Sequence, residues 1–313
     1  MLLPEKALCA IMIVLTTSCS VLGYSEEAVR FNDKEPAGLT SRTITDARGD
    51  KVTLVRAAIN GEDRGWFLLV SGSYFCIIDA AYVGRIEGLS KQDEGEIRYP
   101  CKLPVNIYRA GSLSIGKLTI KNLNIAALDL SRLIEAVDEE IVGVIGYPVF
   151  ARAVVEIQYG HNGADDRISI FDPDSFELSG GEWQPLGFYN SQPVLQGRVN
   201  RQHSAPFAID TGASGNVSFY SVFTATHDVT EGHPTVEKTA STLCGEAADL
   251  ETTVRVFEIA GKTFKNLPVT IMQPGSILDV APGVMGGIVG RELFEDHVVV
   301  FDVKNARFAL VGE

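Results

Sequence analysis

The chain is poor in cysteine, histidine and positive charge. Five cysteines are spread over 313 residues, and Cys9 and Cys19 fall in an apolar leader. None stands in a Cys-x-x-Cys pair, so a redox dithiol or zinc ribbon has no support. The five histidines show no His-Glu-x-x-His or other ligand spacing, and no metal or cofactor is called for. Lysine and arginine total 27 against 40 acidic residues, a net charge of −13. That deficit argues against nucleic acid or an anionic membrane surface as partner, and solubility is its simplest reading. No Gly-x-Ser-x-Gly elbow is present, which removes the usual serine hydrolase signature. The glycine-rich stretch 283–290 lacks the Lys-Ser/Thr of a phosphate loop, because Arg291-Glu292 follows it.

What remains is an ordinary globular composition, 45% apolar and 21% charged, long enough for two domains with real cores. Residues 1–23 read as an export signal. Lys6 supplies a small positive start, and the apolar core 8–15 is too short to span a bilayer. Two readings of it stand. One is an ordinary signal cleaved after Gly23. The other is a lipoprotein signal in which Ser18-Cys19 closes a loose lipobox, Cys19 carries lipid, and the polar stretch 24–41 tethers the protein to a membrane. Either way the protein is exported, to the periplasm or beyond.

The chain is organised around Phe207-Ala208-Ile209-Asp210-Thr211-Gly212-Ala213-Ser214. An apolar strand delivers a carboxylate, a hydroxyl follows that can lock the loop, and Gly212 lets the backbone turn. Further on comes Gly287-Ile288-Val289-Gly290. A second, altered copy lies upstream. There Val70-Ser71-Gly72-Ser73 occupies the motif's place, Asn60 answers Asn200, and Gly143-Val144-Ile145-Gly146 answers Gly287-Ile288-Val289-Gly290. The stretches 116–123 and 261–267 also match. Order and spacing are kept throughout, so the chain reads as two copies of one β-rich unit, 42–172 and 183–313, joined by a linker at 173–182.

The motif resembles that of aspartic peptidases, and the whole chain is similar to a pepsin-like bilobal protein built from retropepsin-sized halves, of the bacterial type. The resemblance implies an all-β fold of two tandem acid-protease-like barrel lobes with a few short helices. It implies a peptide or protein substrate. It makes Asp210 the catalytic carboxylate, supported by Thr211, Gly212, Ala213, Ser214, Ile288, Val289 and Gly290. It also makes residues 226–250 the place of a flap over the site. The first copy departs from the family, since Val70 stands where the second aspartate belongs.

Strands are expected at 52–55, 57–59 with a turn at Asn60-Gly61, 66–70, 113–115, 123–125, 193–199, 205–209, 254–259, 267–272, 298–301 and 308–311. A helix is expected over 128–137 from Leu130, Leu133, Ile134 and Val137, and a loop at 273–286. Cys76 and Cys101 can bridge in an oxidising compartment, and buried free thiols are the other reading. The sequon at Asn216 lies beside the motif in a packed loop and reads as accidental.

Val70 changes the chemistry that the resemblance implies. Two facing carboxylates divide the base and acid roles because their closeness pushes their pKa values apart. Val70 can do neither. Asp79, the next carboxylate, lies past the strand end and is a poor substitute. Three readings follow: a peptidase that works through Asp210 alone, or through a homodimer that brings two Asp210 loops together; a pseudopeptidase that binds extended peptides between its lobes; and a purely structural protein.

Overall fold

A computed structural model describes residues 29–45, 50–97, 103–242, 245–274 and 285–312. The leader with Cys19, residues 24–28 of the polar stretch, Cys101, Cys244 and most of the 273–286 loop lie outside the described residues. The fold is mostly β with a few short helices. Two large sheets carry it, one from each copy, and a smaller sheet joins them.

In the first copy Lys51–Ile59 and Glu62–Leu69 form a hairpin. Glu62–Leu69 runs parallel to Ile141–Ile145, which pairs with Ile77–Asp79. That strand lies parallel to Leu118–Leu128, the arm of a long hairpin with Leu103–Ile115. Leu103–Ile115 returns to Lys51–Ile59, so the circuit closes. The second copy repeats it strand for strand, with the same parallel and antiparallel senses. Gln192–Val199, His203–Ile209, Gly287–Val289, Val217–Phe219, Lys262–Met272 and Gly245–Ile259 lead back to Gln192–Val199. A sheet closed on itself has an inner face that side chains must fill. Phe67, Leu69 and Ile78 do so in one copy, and Phe207, Phe219 and Phe257 in the other.

The two asparagines at the equivalent turns show how local chemistry recurs. Asn60 and Asn200 both take positive φ, 54° and 48°, which asparagine tolerates better than most residues. Each backbone N–H donates across the barrel, to Ser112 O and Val256 O respectively. Each side chain then binds a loop carbonyl, Glu87 O or Val229 O, and accepts from Ser112 N or Val256 N.

Two sequence expectations need revision. The short strands at 113–115 and 123–125 are parts of the longer Leu103–Ile115 and Leu118–Leu128. The first copy has a projecting hairpin of its own, Ser90–Ile97 with Leu103–Ile115; Ser90–Ile97 is almost wholly polar, so hydrophobic alternation could not signal it. The helix is confined to Ser131–Val137, because residues up to Leu128 stay in the strand. Leu130, Leu133 and Val137 pack it against Val70 and Leu68 in one apolar cluster.

The terminal strands do not close their own lobes. Val154–Gln158 pairs with Val298–Asp302 across the copies, in a register centred on Glu156 and Val300. Arg167–Phe171 and Arg307–Val311 flank them, and Gln184–Pro185 adds an edge. One face of these strands is apolar throughout, and the other is apolar at its centre. Val155, Ile157, Val299 and Phe301 join the main core, while Val154, Val300 and Ala309 form a separate cluster.

Beneath this sheet Arg291 is fully buried and forms an ion pair with Asp166 of the first copy, equally buried, through two nitrogens at 3.0 and 3.1 Å. Thr53 and the Gly160 amide complete the shell on Asp166, and Tyr159 lies under the guanidinium at 4.6 Å. Cys76 is a buried free thiol, and burial pushes it up to about 12. No helix among the described residues is long and apolar enough to cross a membrane.

An ion pair buried this deeply is costly to break from one side. Asp166→Ala is expected to lower stability by about 3–5 kcal/mol, and Asp166→Leu with Arg291→Met to recover most of that loss, as read by denaturant unfolding.

Candidate active site

The ends of His203–Ile209 and Glu62–Leu69 carry two equivalent loops to one place between the copies. Each strand is held by its parallel neighbour. Asp210 N donates to Val289 O at 3.0 Å, and Val70 N donates to Ile145 O at 2.9 Å. Gly290 and Gly146, at the ends of those neighbours, must be glycine. A Cβ on Gly290 would lie 2.6 Å from Gly215 O, and one on Gly146 would lie 2.2 Å from Phe75 O.

The loops then grip one another reciprocally. Thr211 Oγ1 donates to Leu69 O at 2.8 Å and accepts from Ser71 N at 2.9 Å, 140 residues away. Ser71 Oγ donates to Ile209 O at 2.8 Å and accepts from Thr211 N at 3.0 Å. A serine hydroxyl does in one loop what a threonine hydroxyl does in the other. These bonds join the two loops within one chain.

Asp210 and Val70 each face the opposite loop's glycine. A Cβ on Gly72 would lie 2.5 Å from Asp210 Oδ2, and one on Gly212 would lie 2.8 Å from the Val70 methyls. Asp210 Oδ1 accepts from Gly212 N at 2.9 Å and Gly72 N at 3.3 Å. Its Oδ2 is buried and finds no donor among the described residues. Asp210 is 2% exposed, and burial raises its carboxyl to about 6 against the lowering effect of the Gly212 and Gly72 amides. The group is therefore mostly ionised at neutral pH and mostly protonated near pH 5.

The other sequence-read residues take supporting places. Ile288 joins Ala208, Ala213, Tyr220, Met272 and Met285 in an apolar cluster on the Asp210 side, and Val289 lies in the main core. Ala213 O accepts from Arg291 N, and Ser214 lies half-buried at the turn into Gly215. In the other loop Ser73 Oγ caps Phe75 O. Val70 packs with Val52, Leu54, Leu68 and Ile77. Asp79 stays away from this chemistry, since its carboxylate accepts from Ala81 N and Leu130 N at a helix start. Within 226–250 the hairpin begins at Val236, pairing Val236–Thr242 with Gly245–Ile259. Asn216 O accepts from Gly290 N beside the motif.

Gln192 is a site residue that motif reading missed. It is 3% exposed, and its Nε2 donates to Gly72 O at 3.1 Å. Laying one copy on the other would have exposed it, because glutamine stands there opposite Val52. Compared with known proteins, the chain matches no protein-family model and no curated protein.

The raised Asp210 carboxyl makes stability depend on pH with a defined sign. Between the ordinary value of 3.8 and about 6 the folded protein keeps a proton that the unfolded chain releases. Stability from this group is therefore greatest below the ordinary value, falls as pH rises through that window, and stays low above it. Asp210→Asn is expected to stabilise the protein at neutral pH by on the order of 3 kcal/mol. The gain should vanish below about pH 4 when unfolding is followed across pH.

Proposed function

We propose that the chain is an aspartic-peptidase-type protein that binds an extended peptide between its two copies and hydrolyses it with water activated by Asp210 alone. The observation that carries this reading is the Asp210 carboxylate itself. Two loop amides fix its Oδ1, its Oδ2 finds no donor among the described residues, and burial raises the carboxyl to about 6. A carboxylate so placed can accept a proton from water at neutral pH. The repeated circuits, the reciprocal loop bonds and the apolar walls on either side support the family resemblance. Export through the leader, with or without lipid on Cys19, belongs to the same proposal.

Val70 favours a second reading, binding without cleavage. It is packed into the apolar cluster of its own copy, so the residue at the second aspartate's place does not fill the acid role. Losing a positioned acid typically costs ~10²–10⁴-fold in rate. A single-carboxylate enzyme is thus slow, and it needs Asp210 ionised.

The test is cleavage of a peptide library from about pH 3 to about pH 8 by the wild type, Asp210→Asn and Val70→Asp. The wild type is expected to cleave weakly, with activity rising as pH passes about 6, and Asp210→Asn to be inactive. Val70→Asp is expected to gain roughly 10²–10⁴-fold and to move the optimum to lower pH, because two facing carboxylates then share a proton. Cleavage that survives in Asp210→Asn would sink the catalytic assignment. Cleavage by Val70→Asp alone, with peptide binding by the wild type, would establish the second reading.

A further inference from the structure

Gln192 opens Gln192–Val199, the counterpart of Lys51–Ile59 in the first copy. Its Nε2 holds the Gly72 carbonyl, while the Gly72 amide donates to Asp210 Oδ1. Both ends of one residue's backbone are therefore held by side chains of the other copy. Gln192 Oε1 is buried and finds no donor among the described residues. Burying a carboxamide with its acceptor unmatched is unfavourable, so apolar packing does not account for glutamine here.

The fold accepts an aliphatic residue at this place. The equivalence set by Asn60 and Asn200 makes Val52 the counterpart of Gln192, and Val52 is equally buried at 3%. Val52 and Val70 pack in one cluster. An apolar pair in one copy thus answers the polar pair Gln192 and Asp210 in the other, and both polar residues converge on the backbone of Gly72.

We propose that Gln192 is a positioning residue for Asp210. Its carboxamide holds the Gly72 carbonyl and so restrains the Gly72 backbone, which keeps the Gly72 N–H on Oδ1 and leaves Oδ2 without a donor among the described residues. The inference rests on Asp210 being the working group of the site. The Gly72 amide is one of the two donors that favour the ionised carboxyl, so loosening that peptide favours the protonated form. The ionisable groups behind the site are Tyr159 and, around it, Arg291, Asp166 and Glu295. Burial raises the Tyr159 phenol far above neutral, so it adds no step in the range where Asp210 titrates.

The test reads the Asp210 carboxyl directly by carbon-13 NMR, with its signal identified by loss in Asp210→Asn. Gln192→Met keeps an unbranched side chain and removes the amide. It is expected to raise the Asp210 midpoint by about half a unit, about threefold tighter proton binding. Val52→Ala, the equivalent change in the other copy, is expected to lower stability and leave the midpoint in place. An unmoved midpoint in folded Gln192→Met overturns the proposal. If Gln192→Met does not fold, the wild type supplies the measurement. The Gln192 side-chain NH₂ signals are expected to follow the Asp210 titration through Gly72 and to lose that response in Asp210→Asn; signals indifferent to the titration overturn the proposal. The readout needs no turnover, so an absence of cleavage in every variant counts against the hydrolytic reading alone.

Discussion

The reciprocal hydrogen bonding of Ser71 and Thr211 is the constraint on which the rest of the structure depends. Each hydroxyl reaches into the opposite loop, donates to a strand-end carbonyl there, and accepts the amide of the other hydroxyl residue. All of these groups are buried, where an unmatched donor or acceptor costs roughly 1–3 kcal/mol. The two loops must therefore meet in one relative position. That position requires both strands to stop at the same level, which their parallel neighbours enforce. It also requires glycine at residues 72 and 212, since each faces the opposite side chain at contact distance.

The frame is two-fold, and the chemistry in it is one-sided. Strand order, strand sense, the asparagine turns and the loop bonds are shared by both copies. The side chains that reach the meeting point are not shared. The first copy offers Val52 and Val70, packed as part of its own core. The second offers Gln192 and Asp210, which turn their polar ends on the backbone of Gly72. The latch beneath is one-sided as well, with Arg291 from one copy and Asp166 from the other. Symmetry thus resides in the backbone, and asymmetry in a few buried side chains.

Much of this was legible along the chain. Asp210-Thr211-Gly212, its altered counterpart Val70-Ser71-Gly72 and the paired segments ending in Gly146 and Gly290 were visible as spaced motifs, because close backbone approach restricts residue choice. Elements lacking such a restriction were harder to see. Ser90–Ile97 is held by main-chain bonds to Leu103–Ile115, and its polar side chains carry no period. Arg291 was read only as the residue that spoils a phosphate loop; its partner lies 125 residues away, and no local pattern links the two. Gln192 precedes the strand expected at 193–199, and its contact with Gly72, 120 residues away, leaves no local pattern.

The sequence by itself determined that the chain is a duplicated β protein, that one copy carries the carboxylate, and that the other has valine in its place. Turn residues, apolar strands and glycine positions act locally or repeat in register, so they can be read without coordinates. Only the tertiary structure decided that the terminal strands join the copies instead of closing them. Only it decided that Val70 sits opposite Gly212, and that buried Asp210 keeps one oxygen bound and the other without a donor among the described residues, its carboxyl raised to about 6. Those properties arise from burial and from donors supplied by distant residues, and both exist only once the two copies have met.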